Sequence, residues 1–312
     1  MKKILSVILI GIICFTLAAC GKTSGNTAGN TTEGNYAFKD SLGREIAVSN
    51  PERVVTLLGS FCDEWLLAGG SVVGTVSDSF TSFELNLPDS VVDIGSHMKP
   101  DIEQLLALKP DFVIASAGTD AQLELRETLE NAGITVAYFD VDNFEDYLGM
   151  LNILTQITGR PDLYEKYGTA VAEQIEDAKK QIDGRKPTVL FIRAAASSVK
   201  AKGSEGTIGG EILADLDTVN IADGGILLED LSLEAILLAD PEYIFVTTQG
   251  TDTEAALANV DKLLTTNPAW NSLTAVQKGN YYLLDKALYN SKPNARWGEA
   301  YDYLAKILYP ER

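Results

Sequence analysis

At 312 residues the chain exceeds what one hydrophobic core ordinarily serves, so two lobes are expected. Apolar residues make up 46% and charged residues 22%, with mean hydropathy near zero, which excludes a disordered or multi-span membrane chain. Acids outnumber bases 44 to 25, a net charge of −19 that disfavours nucleic-acid binding; one histidine and three cysteines exclude zinc fingers, multi-histidine zinc enzymes and disulfide scaffolds.

The chain opens with Met1-Lys2-Lys3, the apolar run Ile4 to Phe15, and Leu17-Ala18-Ala19-Cys20. A basic start, a short apolar stretch and small residues before a cut site predict an export signal over residues 1–19, too short for a permanent membrane span. The string ending at Cys20 resembles the lipobox of bacterial lipoproteins, which implies a lipid on Cys20. Residues 20–35 form the anchor and a Gly/Ser/Thr/Asn-rich tether that cannot bury apolar area. Cys62 is then alone, and Phe61 and Trp65 around it mark a small core residue.

From residue 36 onward, short apolar runs alternate with helical stretches. Arg53 to Leu58 reads as a buried strand, Cys62 to Ala68 as a helix ended by Gly69-Gly70, and Val72 to Val76 as the next strand. This spacing predicts an α/β fold with largely parallel pairing. An internal echo then divides the chain. Asp101 to Ile114 recurs as Ser232 to Phe245, shifted by 131 positions, each copy giving a short helix, a Pro, an acid and a buried strand. Between the copies, Leu163, Tyr164, Tyr167, Val171, Ile175 and Ala178 make the apolar stripe of one amphipathic helix, with Pro161 near its start and Gly184 as its C-cap. About twenty residues span about 30 Å. The expected organisation is an N-terminal lobe over 36–159, a connecting helix over 160–184 and a C-terminal lobe over 185–312: two similar Rossmann-like lobes with a ligand cleft between them.

The order of Asp40-x-x-Gly43, Arg53-Val54-Val55, Glu64, Val73-Gly74, the block Ile102 to Ile114, Thr158-Gly159-Arg160, Asn267-Pro268-Ala269-Trp270 and the stretch Lys292 to Pro310 resembles the substrate-binding lipoproteins of ABC importers for iron chelates, haem and cobalamin. The resemblance implies a helical-backbone, class III periplasmic-binding-protein fold and a role in capture, not catalysis, with no cofactor. It implies a monomer anchored by lipid to the outer face of the bacterial cell membrane, handing its cargo to a permease dimer. In that family one glutamate per lobe pairs with permease arginines, and the matching positions are Glu103 and Glu234, which the 131-residue echo also selects.

Ligands of α/β lobes meet the loops at the carboxyl ends of strands. The candidates there are Ser60, Phe61, His97, Met98, Lys99 and Ser116 in the first lobe, and Arg193, Lys200, Lys202, Gln249, Tyr289, Arg296 and Trp297 in the second. Basic islands at 184–204 and 286–298 hold no acid, which suggests an anionic ligand such as a ferric siderophore. Haem is the alternative and cobalamin follows. Haem-binding members use a Met in the loop holding Met98 and a His on the other lobe, yet the loop here reads Thr247-Thr248-Gln249-Gly250. His97 adjoins Met98, so the two would not readily take opposite faces of one iron. A surface hydrolase is the remote alternative: no Gly-x-Ser-x-Gly, P-loop or His-Glu-x-x-His string occurs.

Overall fold

In the computed structural model, which describes residues 35–229 and 231–310, the apolar runs pair into two sheets. The expected export signal, Cys20 and the tether up to residue 34 lie outside the described residues. A hairpin of β1 (Tyr36–Lys39) and β2 (Glu45–Val48) precedes the first sheet. That sheet comprises β3 (Val54–Thr56), β4 (Gly74–Thr75), β5 (Val92–Asp93), β8 (Phe112–Ser116) and β9 (Thr135–Phe139), with β6 (Gly95–Ser96) and β7 (Lys99–Pro100) forming a small hairpin apart. Its order is β5-β4-β3-β8-β9, all parallel. The second sheet comprises β10 (Thr188–Ala195), β11 (Ser198–Lys202), β12 (Val219–Asn220), β13 (Tyr243–Thr248) and β14 (Tyr281–Leu284). Its order is β11-β10-β13-β14, with β12 beside the start of β10; β11 alone runs antiparallel.

The sequence echo has a physical cause in both lobes. Asp101 and Ser232, 131 positions apart, each N-cap a short helix, Ile102–Ala107 and Leu233–Ala239, by accepting backbone N–H groups. Each helix is followed by a left-handed residue, Lys109 (φ 49°) and Asp240 (φ 43°). The acid after the Pro then accepts from the backbone of the adjoining strand: Asp111 from Glu52 and Arg53 N–H, Glu242 from Thr188 N–H. Matching side chains thus lock matching strands into register.

The connecting helix is one rod built of Pro161–Tyr164, a π-helical turn at Glu165–Thr169, and Ala170–Lys179. The Tyr147 hydroxyl donates to the Tyr167 carbonyl at 2.9 Å, giving a partner to a group in the widened turn. The predicted stripe faces inward, with Val171, Ile175 and Ala178 buried. The rod ends a few residues before the expected Gly184 cap, because Gln181 and Ile182 close tighter i→i+3 bonds onto Ala178 and Lys179. Gly159, at φ 69°, terminates the preceding helix Phe144–Thr158 in the left-handed conformation that Gly adopts without a Cβ clash.

Strand alternation sorts the core. Val113 and Ala115 of β8 face one way, Phe112 and Ile114 the other; Leu190, Ile192 and Ala194 of β10 oppose Val189 and Phe191. Phe112, Ile114, Val189 and Phe191 belong to one continuous core that runs through both lobes. The connecting helix and the C-terminal helix Trp297–Leu308 complete it. Cys62 lies in that core as expected, free and buried.

Candidate ligand-binding cleft

A hollow of about 450 Å³ opens between the lobes. Every wall comes from the carboxyl end of a parallel strand: Leu58 and Ser60 after β3, Ser77 and Asp78 after β4, Ser96 and His97 after β5, Gln249 to Thr251 after β13, and Lys286 to Lys292 after β14. Its chemistry is mostly hydroxyl, amide and cation. The His97 Nδ1 stands 3.6 Å from Asp78 Oδ2, and the Lys286 ammonium donates to the Gly250 carbonyl at 3.2 Å. Burial raises the Asp78 carboxyl above its ordinary range, with His97 pulling it back.

Lys292 is the most constrained cation of the cleft. It makes no ion pair among the described residues. Burial lowers its pKa although Asp142, Asp140, Glu64 and Asp146 all pull upward. Glu64 lies near it, fully buried, with neither carboxylate oxygen hydrogen-bonded among the described residues. Burial and the Asp63 charge push its carboxyl well above 4.5. The carboxyl is therefore held protonated well beyond the usual carboxylate range.

A second hollow, of about 700 Å³, lies on the second lobe and is lined by Lys200 and Lys202 with the loop Gly203 to Thr207. In the β10–β11 ladder Phe191 opposes Lys202 and Arg193 opposes Lys200, so the three cations share one face of the sheet. None of them makes an ion pair among the described residues. Burial lowers the Lys202 pKa, helped by the Arg193 and Lys200 charges, and burial alone lowers that of Arg193. Arg193 also opposes Thr247 on β13, and its neighbour Ala194 accepts the Gln249 N–H at 2.7 Å, which links this face to the interlobe cleft.

Of the predicted residues, the structure brings Ser60, His97 and Gln249 to the cleft and Lys200 and Lys202 to the second hollow; Arg193 shares their face of the sheet but lines neither hollow. Others lie elsewhere. Phe61 is fully buried, edge-on to Phe139, because the helix Gly59–Leu67 turns its aromatic side into the core. Ser116 is buried and spends its N–H on Gln122 and its hydroxyl on Gly118 N–H. Met98 sits beside His97 at the turn between β6 and β7 and Lys99 begins β7; His97 lines the cleft, while Met98 is 60% exposed and, like Lys99, lies outside it. Tyr289 donates to the Ala300 carbonyl inside the core, and Trp297 packs against Phe144 with no exposure. Trp297 begins the apolar stripe continued by Tyr301, Leu304 and Leu308, so the core claims it. Arg296 points outward in a two-point pair with Glu299. From the first basic island, Arg185 pairs with Asp183 and Lys186 with Asp217.

Lys286, Asn290, Ser291 and Lys292, from the basic island at 286–298 expected to meet an anion, also line the cleft, as does the segment Ser77 to Phe83, which was not among the predicted contacts. Extending the strand-end rule to β4 would have found that segment. Glu103 and Glu234 are exposed at the second position of their matching helices, and the Ser232 hydroxyl donates to Glu234 at 3.1 Å.

A family model described as periplasmic binding protein matches residues 55–288. YhfQ of Bacillus subtilis (strain 168), provisionally named an ABC transporter substrate-binding lipoprotein, is 26% identical, with 93% of each chain covered. The Fe(3+)-citrate-binding protein YfmC of the same strain is 26% identical, over 91% of this chain and 89% of its own. The crystal structure of the petrobactin-binding protein YclQ of Bacillus subtilis superposes with a TM-score of 0.70 at 22% identity, over 88% of this chain and 97% of the other. The two parallel-sheet lobes, the helical rod and the strand-end cleft are what this match predicts, and the chain belongs to the periplasmic binding protein family as a solute-binding protein, not an enzyme.

Proposed function

We propose that the chain is the extracytoplasmic, lipid-anchored binding component of an ABC importer and that its cargo is a ferric siderophore. The observation that carries this reading is the distribution of charge. In a chain of net charge −19, Lys286, Lys292 and His97 face the interlobe cleft, while Arg193, Lys200 and Lys202 crowd one face of the second sheet without ion pairs among the described residues. Clustered, partly buried cations cost free energy in the empty protein, and an anion that enters relieves it. An iron chelate carrying carboxylate or catecholate oxygens supplies that anion, and the hydroxyls of Ser60, Ser77 and Ser291 suit its polar periphery. The iron arrives wrapped in the chelate, so the protein need not ligate it. YfmC is named for binding Fe(3+)-citrate and YclQ for binding petrobactin.

Glu103 and Glu234 are the docking contacts in this reading. Exposed carboxylates at matching places on two lobes give a permease dimer two fixed points, and charge complementarity steers the encounter. Residues 1–35 supply export, the lipid on Cys20 and the tether, and the lobes divide at 159 and 184. Haem fits less well, since Met98 lies outside the cleft and the facing loop lines it with Gln249, Gly250 and Thr251, none of them a haem-iron ligand of the usual kind.

The test is titration of the purified protein with ferric citrate, a ferric tris-catecholate and haemin, followed by tryptophan fluorescence and visible absorbance. Saturable quenching with a broad charge-transfer band from one of the first two supports the reading. Binding of haemin alone, with a sharp band near about 400 nm, overturns it in favour of haem.

A further inference from the structure

We infer that Asn294 is a positioning residue that clasps the two lobes beneath the cleft, and so sets how far the cleft opens to admit and release its cargo. Asn294 lies on the segment that follows β14 and the helix Lys286–Tyr289 of the second lobe, two residues after Lys292. It is fully buried and holds a left-handed backbone (φ 49°), a conformation that Asn tolerates better than other L-residues apart from Gly. Its side-chain amide reaches into the first lobe. There Nδ2 donates to the Ser60 carbonyl and to Asp63 Oδ2, each at 2.8 Å. Both acceptors belong to the helix Gly59–Leu67, and Ser60 itself lines the cleft, as do Ser291 and Lys292 on the other side. One side chain therefore ties together the cleft-lining segments of opposite lobes.

Two further observations point the same way. The Asn294 side-chain oxygen Oδ1 has no hydrogen-bond partner among the described residues, so the side-chain amide engages through its donor end alone. The nearby charge of Lys292 feels Asp140, Asp142 and Asp146, all first-lobe groups at or after the end of β9, which draws the same segment toward the first lobe. Separating the lobes here strips a buried donor from a buried carbonyl and a partly buried carboxylate, a costly step that apolar contacts such as Phe144 on Trp297 do not impose. A cleft whose width is fixed before the cargo arrives pays less reorganisation on binding.

The experiment compares Asn294→Gly with the wild-type protein. Glycine keeps the left-handed backbone free of strain and removes both donor contacts. Spin labels on Thr128→Cys and Glu254→Cys, exposed sites on opposite lobes, report lobe spacing in the ligand-free protein by pulsed electron resonance. Wild type is expected to give one narrow distance; Asn294→Gly is expected to give a broader distribution shifted outward by about 3 Å or more. Asp63→Ala removes one acceptor from the other lobe and is expected to give a smaller shift of the same sign. Where ferric citrate binds, its release from Asn294→Gly is expected to be about tenfold faster. Unchanged spacing in both variants, with only a lowered melting temperature, would reduce Asn294 to a packing residue and overturn the inference. Because spacing is read without ligand, the result stands or falls whatever the cargo proves to be.

Discussion

Replacing Lys292 with methionine separates what the cleft needs for binding from what the fold needs for stability. The ammonium is partly buried, unpaired among the described residues, and depressed in pKa by desolvation despite four nearby acids. A net depression means that the folded environment disfavours the charge, so a neutral side chain of similar length should raise the melting temperature of the empty protein or leave it unchanged. Binding should move the opposite way. A hydrogen bond from a charged donor is worth about 1.5–3 kcal/mol, so losing one to an anionic chelate weakens affinity by about 10- to 150-fold. The two readouts are a thermal melt without ligand and a fluorescence titration with ferric citrate or a ferric tris-catecholate. A variant that melts lower and binds as tightly as wild type would refute the reasoning, because Lys292 would then be a stabilising structural cation and not a ligand contact.

Replacing Glu103 and Glu234 together by Ala should abolish uptake of the iron chelate into cells while leaving its affinity for the purified protein unchanged; surviving uptake would end their docking role. Arg193→Glu puts an acid into the cationic face beside Lys200 and Lys202 and should weaken chelate binding by about tenfold or more, read by the same titration. Glu64→Gln tests the buried carboxyl. Its folded pKa lies well above the ordinary 4.5, so the proton it holds contributes stability fully below that value, and the contribution is lost as pH rises through the elevated value. Urea midpoints at about pH 5 and about pH 8 should therefore show the Gln variant gaining on wild type as pH rises. A gap independent of pH would mean that Glu64 titrates normally.

The lobes and the rod were legible in the sequence because their signals are local. Helical spacing from Leu163 to Ala178, the N-caps at Asp101 and Ser232, and the acids at Asp111 and Glu242 act within one or two elements, so repetition along the chain reported repetition in space. The cleft was only partly legible. Strand ends located Ser60, His97 and Gln249, since topology alone brings such ends to one side of a sheet. The stretch from Lys286 to Trp297 shows where sequence stopped. It is built of short helical turns with no sustained period, so spacing could not tell an inward side chain from an outward one. Packing against the joint core decided it: Tyr289 and Trp297 were taken into the apolar interior, Arg296 was left outside with Glu299, and Lys286 and Lys292 were turned to the cleft. Sequence by itself thus determined the elements, their duplication and the sign of charge each segment brings. Which of those charges meet across the cleft depended on contacts between residues far apart along the chain, and only the tertiary structure supplies them.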